Sequence, residues 1–349
     1  MKIAQIAPLT EAVPPRLYGG TERIVAYICD ELVELGHDVT LFASGDSISR
    51  ARIESMCPKA LRLDPSVRDH LAPNIFMLET IARRADEFDF VHLHVDYLSY
   101  PFLRRVAVPN LTTLHGRLDL PELQPLYQLF DDVPVVSISD SQREPLPQAN
   151  YVATVYHGIP ENSLLPDTGA GGYLGFLGRI SPEKAPDAAI RIAALAGMKL
   201  KIAAKVDRVD EEYFHDRIEP LLDQPHVEFI GEISDRDKNE FLGNAAGLLF
   251  PIAWREPFGL VMIEAMACGT PVIAMRCGSV PEVIDDGLTG FVVDSEEEAA
   301  AAARRLAELD RAKIRRTFGR RFTSRRMTED YLRIYRGLIA RQRPLQKAV

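Results

Sequence analysis

The sequence predicts an α/β protein built from two doubly wound domains. Short apolar strands alternate with amphipathic helices from end to end, the pattern of parallel sheets covered by helices. The length, 349 residues, suits two domains better than one. Composition shifts to Pro, Asp, Gly and Ala between Pro160 and Gly172, where a linker is expected.

In the first half, strands are expected near 2–7, 38–43, 89–93, 111–114, 134–138 and 152–156. A helix near 22–35 sets Ile24, Val25, Ile28, Leu32 and Leu35 on one stripe and stops at Gly36. Gly19 and Gly20 precede it, and Thr21 suits its N-cap. Beyond the linker, strands are expected near 173–178, 199–204, 226–230, 247–251, 271–274 and 291–293, followed by a helix over about 325–341. The expected divisions are residues 1–165, 166–324 and a C-terminal segment 325–349. Doubly wound sheets take ligands at the carboxyl ends of their strands, so a cleft there is the expected site.

Hydrophobic residues make up 46% of the chain and charged residues 26%, as in ordinary soluble proteins. A net charge of −9 argues against a nucleic-acid binder, which needs clustered Lys and Arg. The exception is the arginine-dense stretch from Arg304 to Arg343. It reads as the solvated face of terminal helices, with peripheral membrane association as the alternative. Cys29, Cys57, Cys268 and Cys277 are scattered and form no disulfide framework, which suits a reducing compartment. No run approaches the roughly 18 apolar residues of a membrane span, and the first strand begins without signal-peptide features. A cytoplasmic protein is expected.

The most informative stretch is Glu256-Pro257-Phe258-Gly259-Leu260-Val261-Met262-Ile263-Glu264. It follows the apolar run Gly247–Ile252 and leads through Cys268-Gly269 into another, so it reads as strand, loop, helix, strand. A loop entering a helix offers unpaired N–H groups to a phosphate. An ionised Glu only accepts hydrogen bonds, which suits the hydroxyls of a sugar or ribose. A phosphate cradle flanked by two such acids fits a nucleotide sugar. Arg179 and Lys184, around Ile180-Ser181-Pro182-Glu183 at another strand end, can clamp a diphosphate from two sides. The plain alternative is a pair of surface cations, with Ser181 capping a helix at Pro182.

The Glu-x7-Glu pattern resembles that of the retaining glycosyltransferases of family 4, which have the GT-B fold and include sucrose synthases. The resemblance runs from Met1 to about Tyr335. It takes in Gly19-Gly20-Thr21-Glu22, Gly36-His37-Asp38-Val39-Thr40, Val91-His92-Leu93-His94, Leu114-His115-Gly116, Gly178–Lys184 and Pro281–Gly290. It implies two Rossmann-like domains, the first binding the acceptor and the second the nucleotide sugar, with the last helix packed back on the first. It further implies transfer of a hexosyl group with retention of configuration, UDP-glucose or a related UDP-hexose being the first choice of donor. Glu256 would hold sugar hydroxyls, the amides of Phe258, Gly259 and Leu260 the sugar or phosphate, and Glu264 the ribose. Arg179 and Lys184 would stabilise the departing diphosphate, His115 would assist at the sugar, and Gly19 and Gly20 would approach the ligand closely. No metal or other cofactor is implied. The acceptor stays open among small molecules, glycans and lipid-linked groups, with the loops Thr10–Leu17 and Ser44–Arg68 expected to select it.

Two other readings remain. His92, His94 and Asp96 share one face of an extended strand, a spacing that could serve a zinc metallohydrolase. A non-catalytic nucleotide-sugar-binding protein could keep the fold without turnover. Asp235-Arg236-Asp237 spells an Asp-x-Asp metal motif, yet it opens a helix where acids cap and favour the dipole. Lys205-Val206-Asp207 and Phe229–Glu232 lie where relatives bring the nucleotide near.

Overall fold

In the computed structural model, residues 1–16 and 19–342 are described. They divide into two compact units, Met1–Gly158 with the segment from Ser324 onward, and Ile159–Thr323.

The first unit carries strands β1 (Lys2–Ile6), β2 (Asp38–Ser44), β3 (Arg52–Cys57), β4 (Phe90–Leu93), β5 (Asn110–Thr113), β6 (Val135–Ser137) and β7 (Tyr151–Thr154). They form one parallel sheet in the order β3-β2-β1-β4-β5-β6-β7. The order reverses between β1 and β4, the switch point where such sheets take ligands. β3 was not expected, because its sequence Arg-Ile-Glu-Ser-Met-Cys alternates polar residues instead of running apolar. It is an edge strand and half-exposed, and it turns part of the loop expected over Ser44–Arg68 into sheet. Leu17, at the end of the other loop, lies outside the described residues, as does Arg343.

The helix Gly20–Glu34 buries Ile24, Val25, Ile28, Cys29 and Leu32. Its N-cap is Gly19, so Thr21 lies inside the helix and does not cap it. A Cβ on Gly19 would sit 2.7 Å from Pro15 Cβ, so the approach of the Pro15 ring requires glycine there. The helix Ser324–Gln342 belongs to this unit and lays Tyr331 and Tyr335, one turn apart, over the polar stripe Gln5, His92 and Thr113.

The second unit carries β8 (Tyr173–Ile180), β9 (Lys199–Val206), β10 (Val227–Gly231), β11 (Gly247–Phe250), β12 (Val272–Met275) and β13 (Gly290–Val293). Its parallel sheet runs β10-β9-β8-β11-β12-β13, with the switch between β8 and β11. Leu174, Leu200, Leu249 and Ile273 fill its core.

The segment expected as the linker, Pro160 to Gly172, is pinned to this unit. Asp167 N donates to Cys268 O at 3.1 Å, and Gly171 N to Asn244 O at 3.0 Å. Arg311 donates to the carbonyls of Asp167, Gly243 and Ala245, and Arg315 to those of Glu161, Leu164 and Ala267. The arginine-rich stretch is therefore not simply a solvated face. Several of its guanidiniums satisfy loop and helix-end carbonyls, a role their planar fork of donors suits. All four cysteines are free. Among the described residues, no helix is long and apolar enough to cross a membrane.

Candidate functional site

Arg179 and Lys184 lie at and just beyond the carboxyl end of β8 and Glu256 on the loop beyond β11, the two strands on either side of that sheet's switch point. After β11 the chain runs Pro251–Gly259 and enters the helix Leu260–Ala267, apolar except for Glu264 and buried from Met262 onward. Gly259 is its N-cap at φ +77°, with space for a Cβ only 2.9 Å from Met262 Cε and 3.0 Å from the Phe250 ring. That left-handed turn is the reason for glycine at the centre of the motif. The turn at Gly278-Ser279 backs the loop. Ser279 N donates to Glu256 O at 3.1 Å and Ser279 Oγ to Phe258 O at 2.9 Å. Phe258 itself is buried, its ring edge-on to Phe322.

Glu256 lies on this loop with its carboxylate paired to Lys184 and accepting from Trp254 Nε1 at 2.9 Å. Lys184 Nζ sits 5.7 Å from the Phe250 ring centre and 5.6 Å from that of Trp254, an aromatic seat for a cation. Ala253 N donates to Glu183 O at 2.9 Å and ties the two loops together. Ser181 occupies the N-cap of the short turn Pro182–Lys184, but its hydroxyl makes no capping bond. Ala185 follows at φ +48°, a left-handed conformation costly for a residue with a Cβ.

Arg179, at the end of β8, faces the carboxylates that follow β9. It lies 3.8 Å from Asp207 and 3.5 Å from Asp210, and Asp207 also meets Lys205 at 2.8 Å. Burial lifts the Asp210 carboxyl above its ordinary value, against the pull of Arg179. Arg179 Nε and Ser181 Oγ are buried atoms with no hydrogen-bond partner among the described residues. Glu264, on the buried helix, is paired at 2.8 Å to Lys238, which also meets Asp235 at 3.1 Å. Lys184 and Glu256 are thus in direct contact, whereas Arg179 and Glu264 are each held by acids or bases of other elements.

Asp235-Arg236-Asp237 is a helix start. Ser234 and Asp237 form a capping box, with Ser234 N and Oγ both donating to Asp237 Oδ2. An open cavity of about 600 Å³ lies beside the Pro182–Ala185 segment, lined by residues such as Asp187, Arg191, Ile252, Cys277 and Glu296. It contains none of the expected site residues.

In the first unit, His92 and His94 do share a face, their ring centres 4.1 Å apart. Their nitrogens are engaged by the protein itself. His92 Nδ1 meets Tyr335 Oη at 2.7 Å and Nε2 meets Thr113 Oγ1 at 2.8 Å. His94 Nε2 meets Gln5 Oε1 at 2.9 Å and Nδ1 meets His115 Nε2 at 2.8 Å. No cluster of three His, Cys, Asp or Glu fit for a metal occurs among the described residues. Burial holds His92 and His94 well below the ordinary histidine value and pushes His115 down to about 3. Each is a neutral imidazole at neutral pH. Asp96 has φ +46° and accepts from the His115 backbone N–H, while burial raises its carboxyl to about 6.

The participants missed from sequence were Lys238, Trp254, Asp210 and Gln5. Trp254 carried a signal, being the one tryptophan of the chain and two residues from Glu256. Lys238 and Gln5 carried none, because each reaches the site from an element remote in sequence.

The family model "Glycosyl transferases group 1" matches residues 169–322, and "Glycosyltransferase Family 4" matches residues 18–145. D-inositol 3-phosphate glycosyltransferase of Mycobacterium tuberculosis is 35% identical over 137 residues, 36% of this chain and 26% of its own length. The chain thus spans about a quarter of that curated relative. Among solved structures, sucrose-phosphate synthase from Thermosynechococcus elongatus is similar at TM-score 0.79 and 19% identity, over 97% of this chain and 99% of its own. Anabaena HepE, in complex with UDP-glucose, is similar at TM-score 0.71 and 19% identity, over 97% and 100%. These likenesses support a GT-B fold of two parallel-sheet α/β domains.

Proposed function

The chain belongs to glycosyltransferase family 4, and from that membership we propose that it moves a hexosyl group from a nucleoside-diphosphate sugar to an acceptor hydroxyl, with retention of configuration. The observation that carries the reading is the Glu256 carboxylate, held between Lys184 and Trp254 on the loop that enters the Gly259-capped helix. In this reading Glu256 accepts from sugar hydroxyls, and amides of Phe258–Leu260 meet the sugar or phosphate at the helix N-terminus. Glu264 accepts from the ribose. Lys184 and Arg179 exchange their carboxylate partners for the diphosphate and stabilise the charge that grows on it as the glycosidic bond breaks. Arg179 Nε, which meets Asp210 at 3.5 Å without a hydrogen bond, and the unpartnered Ser181 Oγ are further donors available to phosphate oxygens.

No protein nucleophile is needed. A diphosphate oxygen takes the proton of the attacking acceptor hydroxyl, on the face the leaving group vacates. His115, with a buried Nδ1 that lacks a partner, accepts from a hydroxyl of the sugar. Gly19 and Gly20 allow close approach of backbone to ligand. The reaction is taken as metal-independent, since two cations of the protein serve the diphosphate. The curated relative is named for D-inositol 3-phosphate, so a phosphorylated polyol joins the acceptors to be tried. A cytoplasmic location, for which the four free cysteines speak, belongs to the same proposal.

A thermal-shift screen of UDP, GDP and ADP with their hexoses tests the reading. Ligand at 100 times its Kd adds about 2.7 kcal/mol of stability. UDP-glucose is expected to raise Tm, and donor turnover is expected to survive EDTA. A protein that no nucleotide stabilises is not this transferase. One that carries stoichiometric zinc and loses activity on chelation is the metallohydrolase instead.

A further inference from the structure

Under the sheet of the first unit, polar side chains join in one unbroken line. From His115 it runs to His94, then Gln5, Tyr335, His92, Thr113 and Tyr331. Every member but His115 is fully buried or nearly so. The line has a direction, because a neutral imidazole carries one N–H and one lone pair.

Gln5 fixes the sense of the line. Its Nε2 donates to Tyr335 Oη at 3.2 Å, so the amide oxygen faces His94. An amide oxygen only accepts, hence His94 Nε2 holds the proton and His94 Nδ1 presents a lone pair. His115 Nε2, 2.8 Å away, must then be the donor of that contact. The second nitrogen of His115, Nδ1, is left as a bare lone pair. It is buried and has no partner among the described residues. The His157 ring stacks on His115 at 5.3 Å between centres and 19° between planes, and limits its rotation.

We propose that Gln5 and His94 are positioning residues that lock His115 in the tautomer with a free Nδ1 lone pair, so that the sugar group it meets must be a hydrogen-bond donor. This rests on the reading of His115 as a sugar contact. A hexose hydroxyl satisfies the lone pair. A carboxylate at the same place, as in a hexuronate, offers only lone pairs and leaves two buried acceptors facing each other. The device therefore selects neutral hexosyl donors over hexuronosyl ones. Burial of the three histidines in the neutral form keeps the line from being short-circuited by a second proton.

The test uses full-length protein with ¹⁵N-labelled histidine, whose long-range proton–nitrogen spectra distinguish the two tautomers. Wild type should show His115 protonated at Nε2 and bare at Nδ1. Gln5→Leu removes the accepting oxygen and should give His115 a mixture of tautomers. Gln5→Glu restores an accepting oxygen towards His94 and should restore the His115 pattern. In turnover with UDP-glucose and UDP-glucuronate, wild type should favour the former by about 10- to 100-fold in kcat/KM, the range expected for one unsatisfied buried polar group. Gln5→Leu should narrow that ratio by roughly tenfold.

A wild-type His115 protonated at Nδ1 overturns the proposal outright, whether or not any variant folds. Tautomer control without donor selectivity overturns its link to substrate. If no nucleotide sugar turns over, the transferase reading fails instead, and the spectra still decide whether Gln5 directs the line.

Discussion

The first unit places Gln5, Thr113, Tyr331, Tyr335 and the neutral His92, His94 and His115 beneath its sheet, each hydrogen-bonded to another neutral group and only His115 Nδ1 among them left without a partner among the described residues. The second unit places Lys184 against Glu256, Lys238 against Glu264 and Arg179 against Asp207 and Asp210. Both sheets are parallel and doubly wound, so the difference lies in the chemistry and not in the architecture. A neutral line fixes orientation, because each hydrogen has one place to go. Charge pairs fix position more loosely, but they can be exchanged. In the proposed function an arriving diphosphate would replace one anion with another, so the cations would not need to be stripped bare to bind it. The first arrangement suits discrimination among hydroxyls, and the second suits capture of an anion that is later released.

Acid should break this symmetry most strongly. Burial depresses His92, His94, His115 and His157 below the ordinary histidine value of about 6.5. Between that value and about 3, the value His115 reaches, the unfolded chain binds protons that the folded chain refuses. Stability therefore falls as pH falls through this window, by up to about 1.4 kcal/mol per pH unit for each such histidine. Asp96, raised to about 6, and Glu22, also raised by burial, oppose the trend because they gain protons more readily when folded. The histidines outnumber them. Hydrogen exchange followed from pH 7 to pH 4 should show the first unit opening before the second. Simultaneous loss of both units would refute the contrast.

Lys184→Ala should have the next largest effect, this time in the second unit. It removes a cation that serves both Glu256 and, by the proposed function, the diphosphate. Loss of one group that stabilises developing charge lowers kcat by about 10²- to 10³-fold. Lys184→Arg should recover only part of this, since a planar fork does not replace a point charge seated between Phe250 and Trp254. Single-turnover kinetics give the answer, and a wild-type rate in Lys184→Ala would remove the clamp from the mechanism.

The two glutamates sharpen the comparison within the second unit. Glu264, assigned to ribose, should affect UDP and UDP-sugar alike, so Glu264→Gln should weaken both by about 1.5–3 kcal/mol. Glu256, assigned to the sugar, should leave UDP affinity nearly unchanged in Glu256→Ala while donor turnover falls. Calorimetry with UDP reports both. If Glu256→Ala abolished UDP binding and Glu264→Gln spared it, the orientation assigned to the donor would be reversed.

How much of this was legible in the sequence depended on whether partners were local. The continuous apolar runs of β8, β11 and β12 announced themselves, as parallel strands buried on both faces do. The edge strand β3 did not, since Arg52, Ile53, Glu54 and Ser55 need only one covered side. Glu256, Gly259 and Glu264 were readable because their spacing places them on one loop and one helix. Gln5, His92 and Thr113 come from three strands that are neighbours only through the order β1-β4-β5, which no local pattern reveals. The same spacing of His92, His94 and Asp96 that suggested a metal proved compatible with a hydrogen-bonded line. A one-strand motif does not say what the adjacent strands bring to it. Arg311 and Arg315 likewise read as surface charge until the carbonyls they satisfy are known.

The smallest expected effect separates the end of the neutral line from its middle. Tyr331 makes one hydrogen bond in it, 2.9 Å to Thr113 Oγ1, and Thr113 keeps His92 as a partner when that bond is lost. Tyr331→Phe should therefore cost about 0.5–1.5 kcal/mol, the net worth of one ordinary hydrogen bond. Tyr335 stands between Gln5 and His92, so Tyr335→Phe strands a buried amide N–H and a buried imidazole nitrogen together. Its cost should be larger, about 1–3 kcal/mol for each group left unsatisfied. For a unit of this size, 1 kcal/mol corresponds to roughly 2–4 °C in Tm, so calorimetry can resolve the two variants. UDP affinity should be untouched in both, because neither residue belongs to the unit assigned to the nucleotide. Equal shifts for the two variants would mean that the line is a set of independent pairs, without the direction that Gln5 is argued to impose.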